Sequence, residues 1–143
     1  MTLNMLNISA DAFTAIAGES LDAGAFVKST SSNDVVTSSG ASSFAASDIQ
    51  VMLCNDASSD YISVVGIAGN DCASGEYVTV FTRGLFIVRS GEAVATGYAV
   101  QVAEDTDEYE VDAFDATAGE HLIGKALTGA SAADKYLVII LNI

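Results

Sequence analysis

The sequence has no proline and no tryptophan, one histidine, two cysteines, and only five lysines and arginines against 19 aspartates and glutamates. Proteins that bind nucleic acid usually neutralise its phosphates with lysine and arginine, so a chain with a net charge of −14 is unsuited to that partner. Anionic membrane surfaces are disfavoured for the same reason. The longest apolar run, Tyr136 to Leu141, is also far shorter than the roughly 20 residues of a membrane-spanning helix. We therefore expect neither nucleic acid nor a membrane as a partner.

The residues that carry most catalytic and metal chemistry are scarce. Two cysteines and one histidine are too few for a structural zinc site. His121 is the single imidazole, and its neighbour Glu120 belongs to an Ala-Gly-Glu turn, so both are interpreted as turn residues. The sequence has no G-x-S-x-G, no zinc-protease His-Glu pair and no glycine-rich loop that continues into Lys-Ser/Thr. We expect no catalytic residues, no cofactor and no enzymatic activity.

Cys54 and Cys72 leave two alternatives open. A disulfide between them is compatible with the sequence, although nothing in their spacing requires one. Free buried thiols are the usual state in a chain made in a reducing cytoplasm, and both residues lie near apolar stretches. The start of the chain, Met1 to Asn7, lacks the basic and apolar segments of a signal peptide, so we expect no export by that route.

The excess of acidic residues has two interpretations. At ordinary ionic strength, a net charge of −14 opposes the compact state through self-repulsion. At molar salt the Debye length falls to roughly 3 Å, and most of that repulsion is screened. The composition therefore favours adaptation to high salt, while an acidic domain from ordinary surroundings is the alternative. Half of the residues are hydrophobic (50%), so the chain is able to build a core.

Short β-rich runs separated by glycine-containing turns recur along the chain, and in Tyr77 to Thr82 the alternation places Val78 and Val80 on one face. Leu137 to Leu141 is apolar throughout, which is typical of a strand buried on both faces. Asp11 to Ala17 is compatible with a short helix or with a strand. The predicted strands are Ile49 to Cys54, Tyr61 to Ile67, Tyr77 to Thr82, Leu85 to Arg89, Tyr98 to Ala103 and Tyr136 to Asn142. The sequence thus predicts an all-β protein, folded as a compact small barrel or sandwich.

A repeated pattern indicates two related halves. The segments Gly18 to Val27 and Gly91 to Val100 align without gaps and share G-E-x-[LV]-x-x-G-x-x-V. In each Gly-Glu element we expect a tight turn in which the glycine adopts positive φ and the glutamate faces solvent. Chance self-similarity of a glycine-rich β chain is the alternative to duplication. The predicted organisation is an N-terminal arm at 1–8 and one β domain at 9–143, with half-repeats at about 17–82 and 90–142 and a serine-rich surface loop at 29–47.

One cluster of acidic residues is a weak candidate for cation binding: Glu104, Asp105, Asp107 and Glu108. Carboxylates spaced in this way can supply oxygen ligands to Ca²⁺ or Mg²⁺. The glycine and glutamate positions of an EF-hand are absent, however. A solvated hairpin tip between Val102 and Val111 explains the cluster without a metal, so we predict no metal site.

Arg83 and Arg89 stand out because basic residues are so scarce. They bracket Gly84 to Val88, one of the most apolar runs of the chain. The planar guanidinium of arginine suits ion pairs across a protein interface, which is one interpretation of both residues. Intramolecular ion pairs at the rim of the barrel are the other. The three lysines are interpreted as ordinary surface charges: Lys28, Lys125 and Lys135.

Together these segments resemble the small decoration proteins of tailed bacteriophages and archaeal tailed viruses. The resemblance covers most of the chain outside the serine-rich loop: Ala17 to Glu19 with Gly24, Val65 to Ala68, Ala73 to Val80 with Gly84, Gly91 and Glu92 with Gly97, Ile123 to Ala126, and Tyr136 to Ile139. It implies a compact, non-enzymatic β protein that forms trimers on the outside of the virion head and clamps neighbouring capsomers. The absence of proline and the extreme acidity depart from ordinary phage members and fit a virus of a halophilic archaeon.

The resemblance also implies partners and a location. The partners are the major capsid protein and further copies of the same chain, in a homotrimer on the outer capsid surface, after synthesis in the host cytoplasm. We predict that the N-terminal arm or the serine-rich loop docks on the capsid. The apolar side chains of the arm, in an otherwise acidic chain, favour the first of these two segments. The candidate interface residues are Leu3, Met5, Leu6, Ile8, Arg83 and Arg89. A glycan- or receptor-binding module is the alternative, with Tyr61 and Tyr109 as candidate aromatic platforms.

Overall fold

The structure, a computed structural model, describes residues 4–5, 11–30, 49–54, 64–103, 108–116 and 121–143. Within these ranges the chain forms strands and turns and no helix, which confirms the predicted all-β class. The segment from Asp11 to Ala17, left open between helix and strand, is a strand. The strands are β1 (Asn4–Met5), β2 (Ala12–Ala17), β3 (Phe26–Ser29), β4 (Gln50–Leu53), β5 (Val64–Ala68), β6 (Tyr77–Phe81), β7 (Arg83–Ser90), β8 (Ala99–Val102), β9 (Glu110–Ala113), β10 (Gly124–Ala126) and β11 (Tyr136–Asn142).

A first closed barrel consists of β2, β4, β3, β5 and β6, in that order around the ring. β2 pairs antiparallel with β6, from Ala12 opposite Phe81 to Ile16 opposite Tyr77. The ring closes through a short parallel pairing of β2 with β4 at Ile16 and Ala17. Closure gives these short strands neighbours on both sides without a large sheet, which explains how so small a unit forms a barrel.

The second barrel belongs to a six-stranded sheet in the order β1, β7, β11, β10, β8, β9, which an additional pairing of β7 with β9 closes. β11 pairs antiparallel with β7, from Tyr136 opposite Arg89 to Asn142 opposite Arg83. The closing pairing of β7 with β9 is parallel and includes Ser90. β8 and β9 form the predicted hairpin, with Val102 opposite Val111.

The two barrels repeat one pairing scheme, with β2 to β6 corresponding to β7 to β11. In both, the first strand pairs antiparallel with the fifth and parallel with the third. An isolated bridge repeats as well, between Leu21 and Cys72 in the first barrel and between Val94 and Ala130 in the second. Each barrel also contains the strand that precedes its Gly-Glu turn, and only the last residue of that strand lies within the half-repeats predicted at about 17–82 and 90–142. An origin by duplication stays a prediction.

The cores of the barrels differ in size, and the larger one joins them. A small cluster fills the first barrel, with Leu21, Val27, Val51 and Val78 among its fully buried side chains. The larger cluster contains the inward side chains of the second barrel together with four residues of the first: Phe26, Cys54, Val64 and Ile67. Because one face of the first barrel supplies part of the second core, the barrels pack as one body through apolar contacts.

The Gly-Glu turns differ from the sequence prediction in both of their residues. Positive φ occurs at the second glycines, Gly24 (96°) and Gly97 (85°), and not at Gly18 or Gly91. Space is tight at the first glycine of the first turn, since a Cβ at Gly18 would lie 2.9 Å from Met52 Cγ and that side chain would have to shift. The glutamates also do more than face solvent. Their Oε1 atoms accept backbone N–H groups, in Glu19 from Leu53 at 2.8 Å and in Glu92 from Ala113 at 3.1 Å.

Candidate functional site

A cavity of about 510 Å³ lies on the outer surface of the second barrel, where β7, β8, β10 and β11 meet. Its apolar lining includes Leu85, Ala99, Leu122 and Ile140, and its charged lining comprises Asp11, Arg83 and Lys125. Leu122 is 48% and Ile140 42% exposed, and both line the cavity, so they form an exposed apolar patch rather than isolated surface residues. A concave surface with grouped apolar side chains is suited to contact with a protein partner.

The strand β11 explains why apolar residues reach this surface. Its inward residues Leu137, Ile139 and Leu141 are buried, whereas Ile140 points outward and is exposed. The prediction that Leu137 to Leu141 is buried on both faces is therefore wrong. In an all-apolar strand, only alternate side chains point into the core. The others point outward, where they are available for contact with another molecule.

Arg83 forms an intramolecular ion pair beside the cavity. Its Nη1 lies 3.1 Å from Asp11 Oδ2, and both side chains are largely exposed. This pair joins the start of β7 to the residue before β2. A water-exposed pair of this kind contributes little to stability. The predicted role of Arg83 in an interface with another chain stays a prediction, and its place in the cavity lining is compatible with that role.

Arg89 lies near the other end of β7 and does not meet Arg83. Its Nε is 2.6 Å from Glu110 Oε1 and 3.9 Å from Asp134 Oδ1. Glu110 is buried, so salt and solvent screen this pair less than the exposed pair at Arg83. The intramolecular alternative thus describes the observed pairing of both arginines, and an interface role for Arg89 stays a prediction.

The N-terminal candidates are only partly within the described residues. Leu3, Leu6 and Ile8 lie outside them. Met5 belongs to β1, which pairs antiparallel with β7 so that Met5 is opposite Phe86 and Asn4 opposite Ile87. This part of the predicted arm therefore adds a strand to the second barrel of its own chain. Capsid docking by the arm or by the serine-rich loop stays a prediction, and residues 31–47 of that loop also lie outside the described ranges.

The acidic cluster provides no observed metal site. Glu104, Asp105 and Asp107 lie outside the described residues, and Glu108 lies within them. The backbone oxygen of Glu108 accepts the N–H of Phe26 at 2.7 Å, a contact between the two barrels. In the ranges that the structure describes, no three histidine, cysteine or acidic residues are placed to hold a metal ion together.

The remaining polar and nucleophilic groups have structural surroundings. Cys54 and Cys72 are both buried and form no disulfide. Burial raises the pKa of the Cys72 thiol, and the carboxylates of Glu76 and Asp71 raise that pKa further, so the thiol stays protonated and weakly nucleophilic. The buried hydroxyl of Ser90 donates to the backbone oxygen of Ala132 at 2.9 Å. These contacts support loops and do not converge on an open pocket.

The exposed aromatic residues are not the ones that the sequence suggested. Tyr61 lies outside the described residues, and Tyr109 is half-buried, with its hydroxyl donating to Asp22 Oδ2 at 3.1 Å. Within the described ranges, the exposed tyrosines are Tyr77, Tyr98 and Tyr136. Tyr77 and Tyr136 begin β6 and β11, so they occupy corresponding places on the two barrels. The sequence did contain a sign of their exposure, because each tyrosine is the first residue of its strand and stands on the opposite face from the buried alternate residues.

The described part of the chain thus consists of two packed β-barrels and a surface cavity with a partly apolar lining. A family model for phage cement proteins matches residues 46–142, and the chain belongs to this family. The family consists of structural phage proteins and is not an enzyme family, so the chain is a virion component associated with the capsid. Among the residues that the structure describes, none forms a helix of the length and hydropathy needed to cross a bilayer.

The fold is similar to that of a solved phage protein. The N base of the head fiber gp8.5 of bacteriophage phi29 aligns with a TM-score of 0.55 over 94% of this chain and 95% of that chain, at 15% sequence identity. At this identity the likeness concerns the fold alone. No curated protein matches the sequence. The resemblance to phage decoration proteins is thus confirmed at the level of the family.

Proposed function

We propose that the protein binds the outer surface of an assembled capsid as a homotrimer, contacts the major capsid protein and stabilises the head against the pressure of its packed genome. The observation that carries this proposal is the match of residues 46–142 to the phage cement family. The open apolar cavity supports self-association. Leu122 and Ile140 are exposed together in a chain with a net charge of −14, and grouped apolar side chains on a surface are typical of a contact with another protein.

Selective binding is sufficient for stabilisation. A protein that binds the assembled lattice and not the separate capsid subunits shifts the equilibrium toward the lattice. At a free concentration of 100 times the Kd, each occupied site contributes about 2.7 kcal/mol. A trimer that contacts several capsid subunits at once binds more tightly still, because its first contact raises the effective concentration of the remaining contacts. No catalytic group is needed, and modest contacts repeated over the head are enough.

The test uses capsids from which the protein has been removed. Adding the purified protein in molar salt should restore co-sedimentation with the capsids and raise the temperature at which they release DNA on heating. Bovine serum albumin, another acidic protein, serves as the control for nonspecific effects. Absence of co-sedimentation would contradict capsid binding. Co-sedimentation with an unchanged release temperature would contradict stabilisation and leave the family assignment intact.

A second candidate is a glycan-binding module on the virion surface. It is favoured by one observation, the exposure of Tyr77, Tyr98 and Tyr136, because aromatic faces commonly pack against sugars. The double variant Tyr77→Ala/Tyr136→Ala should then lose binding to host-cell surface polysaccharide while it still co-sediments with capsids. Equal binding of the variant and the unchanged protein to the polysaccharide would exclude these tyrosines as the platform.

A further inference from the structure

The cavity on the second barrel occupies the same position as a face of the first barrel that is already covered. On the first barrel, Phe26 lies opposite Ile67, and Ile67 lies opposite Phe81. On the second barrel, the corresponding row is Ala99 opposite Lys125, and Lys125 opposite Ile140. Val64 and Leu122 also correspond, since each stands two residues before the paired glycine of its strand, Gly66 or Gly124.

The first-barrel face is closed by the second barrel. Phe26, Val64 and Ile67 are buried in the core cluster that fills the second barrel. Phe81 packs against this cluster, and its ring centroid lies 5.9 Å from that of Phe86. The N–H of Phe26 also donates to the backbone oxygen of Glu108. The interface between the barrels therefore combines apolar packing with a backbone hydrogen bond.

The corresponding face of the second barrel has no such cover among the described residues. All four counterparts line the cavity: Ala99, Leu122, Lys125 and Ile140. Because the two barrels share their strand pairing, the backbone of this open face has the same arrangement as the covered face of the first barrel. Within the chain, that covered face already packs against the end of a barrel. Among these four counterparts only Lys125 is charged, and the cavity lining also contains the ion pair of Arg83 with Asp11. The positive charge of Lys125 favours an acidic partner, as every copy of this chain is.

The first barrel also has an end that corresponds to the covering end of the second. Phe13 lies opposite Val80 in β2 and β6, as Phe86 lies opposite Ile139 in β7 and β11, so Phe13 is the counterpart of Phe86. Phe13 is half-buried, whereas Phe86 is fully buried at the junction of the barrels. The first barrel of another copy thus carries the aromatic residue that the cavity would accept.

We propose that the cavity of one chain is covered by the Phe13 end of the first barrel of a second copy, in the way that the second barrel covers the first within each chain. The contact is heterologous, because it joins two different surfaces, and repetition of it gives a closed ring or an open filament. The proposed function includes a homotrimer, and the inference rests on that part of it: three head-to-tail contacts close the ring.

The first experiment measures mass in molar salt by size-exclusion chromatography with light scattering. Leu122→Asp and Ile140→Asp place a charge in the cavity and should convert the oligomer to the single chain of 14.6 kDa. Leu127→Asp is the matched control, because Leu127 is 45% exposed and lies outside the cavity lining, and this variant should keep the oligomer. Circular dichroism of each variant verifies that it is folded.

The second experiment tests which surfaces meet. Phe13→Cys and Ile140→Cys chains, alone and mixed, are treated with a short bis-maleimide in molar salt, with the unchanged chain as the background for Cys54 and Cys72. The heterologous contact predicts cross-linked dimers in the mixture and none above background in either variant alone. Dimers of Ile140→Cys alone would indicate a two-fold contact and overturn the proposal.

The outcomes separate the inference from the function on which it rests. If the unchanged protein is a monomer in molar salt, the homotrimer and the interface both fail, and capsid binding is judged by co-sedimentation alone. If the protein is an oligomer that Leu122→Asp and Ile140→Asp leave intact, the proposed interface fails and the oligomer stands.

Discussion

At the scale of single residues, the glutamate of each Gly-Glu element links two strands that are distant in sequence. Glu19 accepts the N–H at the end of β4, and Glu92 accepts the N–H at the end of β9. Both contacts fasten a turn to the strand that pairs in parallel with β2 or β7. The glutamate of the repeated motif therefore forms a hydrogen bond that stabilises the closure of the barrel, in addition to its place in a turn.

Loss of this hydrogen bond should be measurable at Glu19, which is half-buried. Glu19→Ala leaves the N–H of Leu53 without its acceptor and should lower the free energy of unfolding by about 1–3 kcal/mol, measured by urea denaturation in molar salt. Glu92→Ala should cost less, because Glu92 is exposed and water replaces its carboxylate. Glu19→Gln is the control, since it removes the same charge and keeps a carbonyl acceptor. Equal losses for Glu19→Gln and Glu19→Ala would contradict the role of the acceptor.

At the scale of elements, close backbone contact explains the glycine that begins β10. A Cβ at Gly124 would lie 2.0 Å from the backbone oxygen of Ile140, and the corresponding Gly66 has Phe81 O at 2.3 Å. A side chain at either position therefore has to push two paired strands apart. Gly97 differs, because its φ is 85° and no atom lies within 4 Å of an added Cβ.

The two glycines give a matched pair of variants. Gly97→Ala should cost about 1–2 kcal/mol, the strain of a left-handed backbone. Gly124→Ala should cost clearly more, because it disrupts the pairing of β10 with β11. Urea denaturation of both variants in molar salt measures the difference. Equal stabilities for the two variants would show that β10 moves aside without loss and would contradict the assigned contact.

The apolar pattern of the sequence predicted most of the strands, and a few gave no clear pattern of their own. Alternating or continuous apolar runs identified β4, β6, β7, β8 and β11, and the predicted strand Tyr61 to Ile67 overlaps β5 (Val64–Ala68). The strands β3 (Phe26–Ser29) and β10 (Gly124–Ala126) include polar or small residues, so local pattern gave no signal for them, and β9 (Glu110–Ala113) was expected only as the second strand of the hairpin after Val102. Their place is set by partners distant in sequence. The cavity was hidden for the same reason, because Ala99, Leu122 and Ile140 meet only through strand pairing.

At the scale of the whole molecule, the two small barrels have to remain packed together despite the repulsion that comes from a large net charge. The interface between them is apolar and buries Phe26, Val64 and Ile67, while the acidic residues that carry the charge of −14 repel one another over both barrels. Repulsion between exposed charges extends over a Debye length, which is about 10 Å at 0.1 M salt and 3 Å at 1 M. Salt is therefore expected to change the stability of the whole molecule, by screening repulsion among many acidic residues, more than it changes the strength of any single ion pair.

The expected result is a thermal midpoint that rises steadily between 0.1 M and 2 M NaCl, measured by circular dichroism. The control is the same series near pH 4.1, the isoelectric point, where protonated carboxylates remove most of the repulsion and the rise should be much smaller. A rise of equal size at both pH values would mean that salt strengthens apolar burial rather than screening charge. Stability independent of salt at pH 7 would contradict adaptation to high salt and would favour an acidic capsid protein from ordinary surroundings.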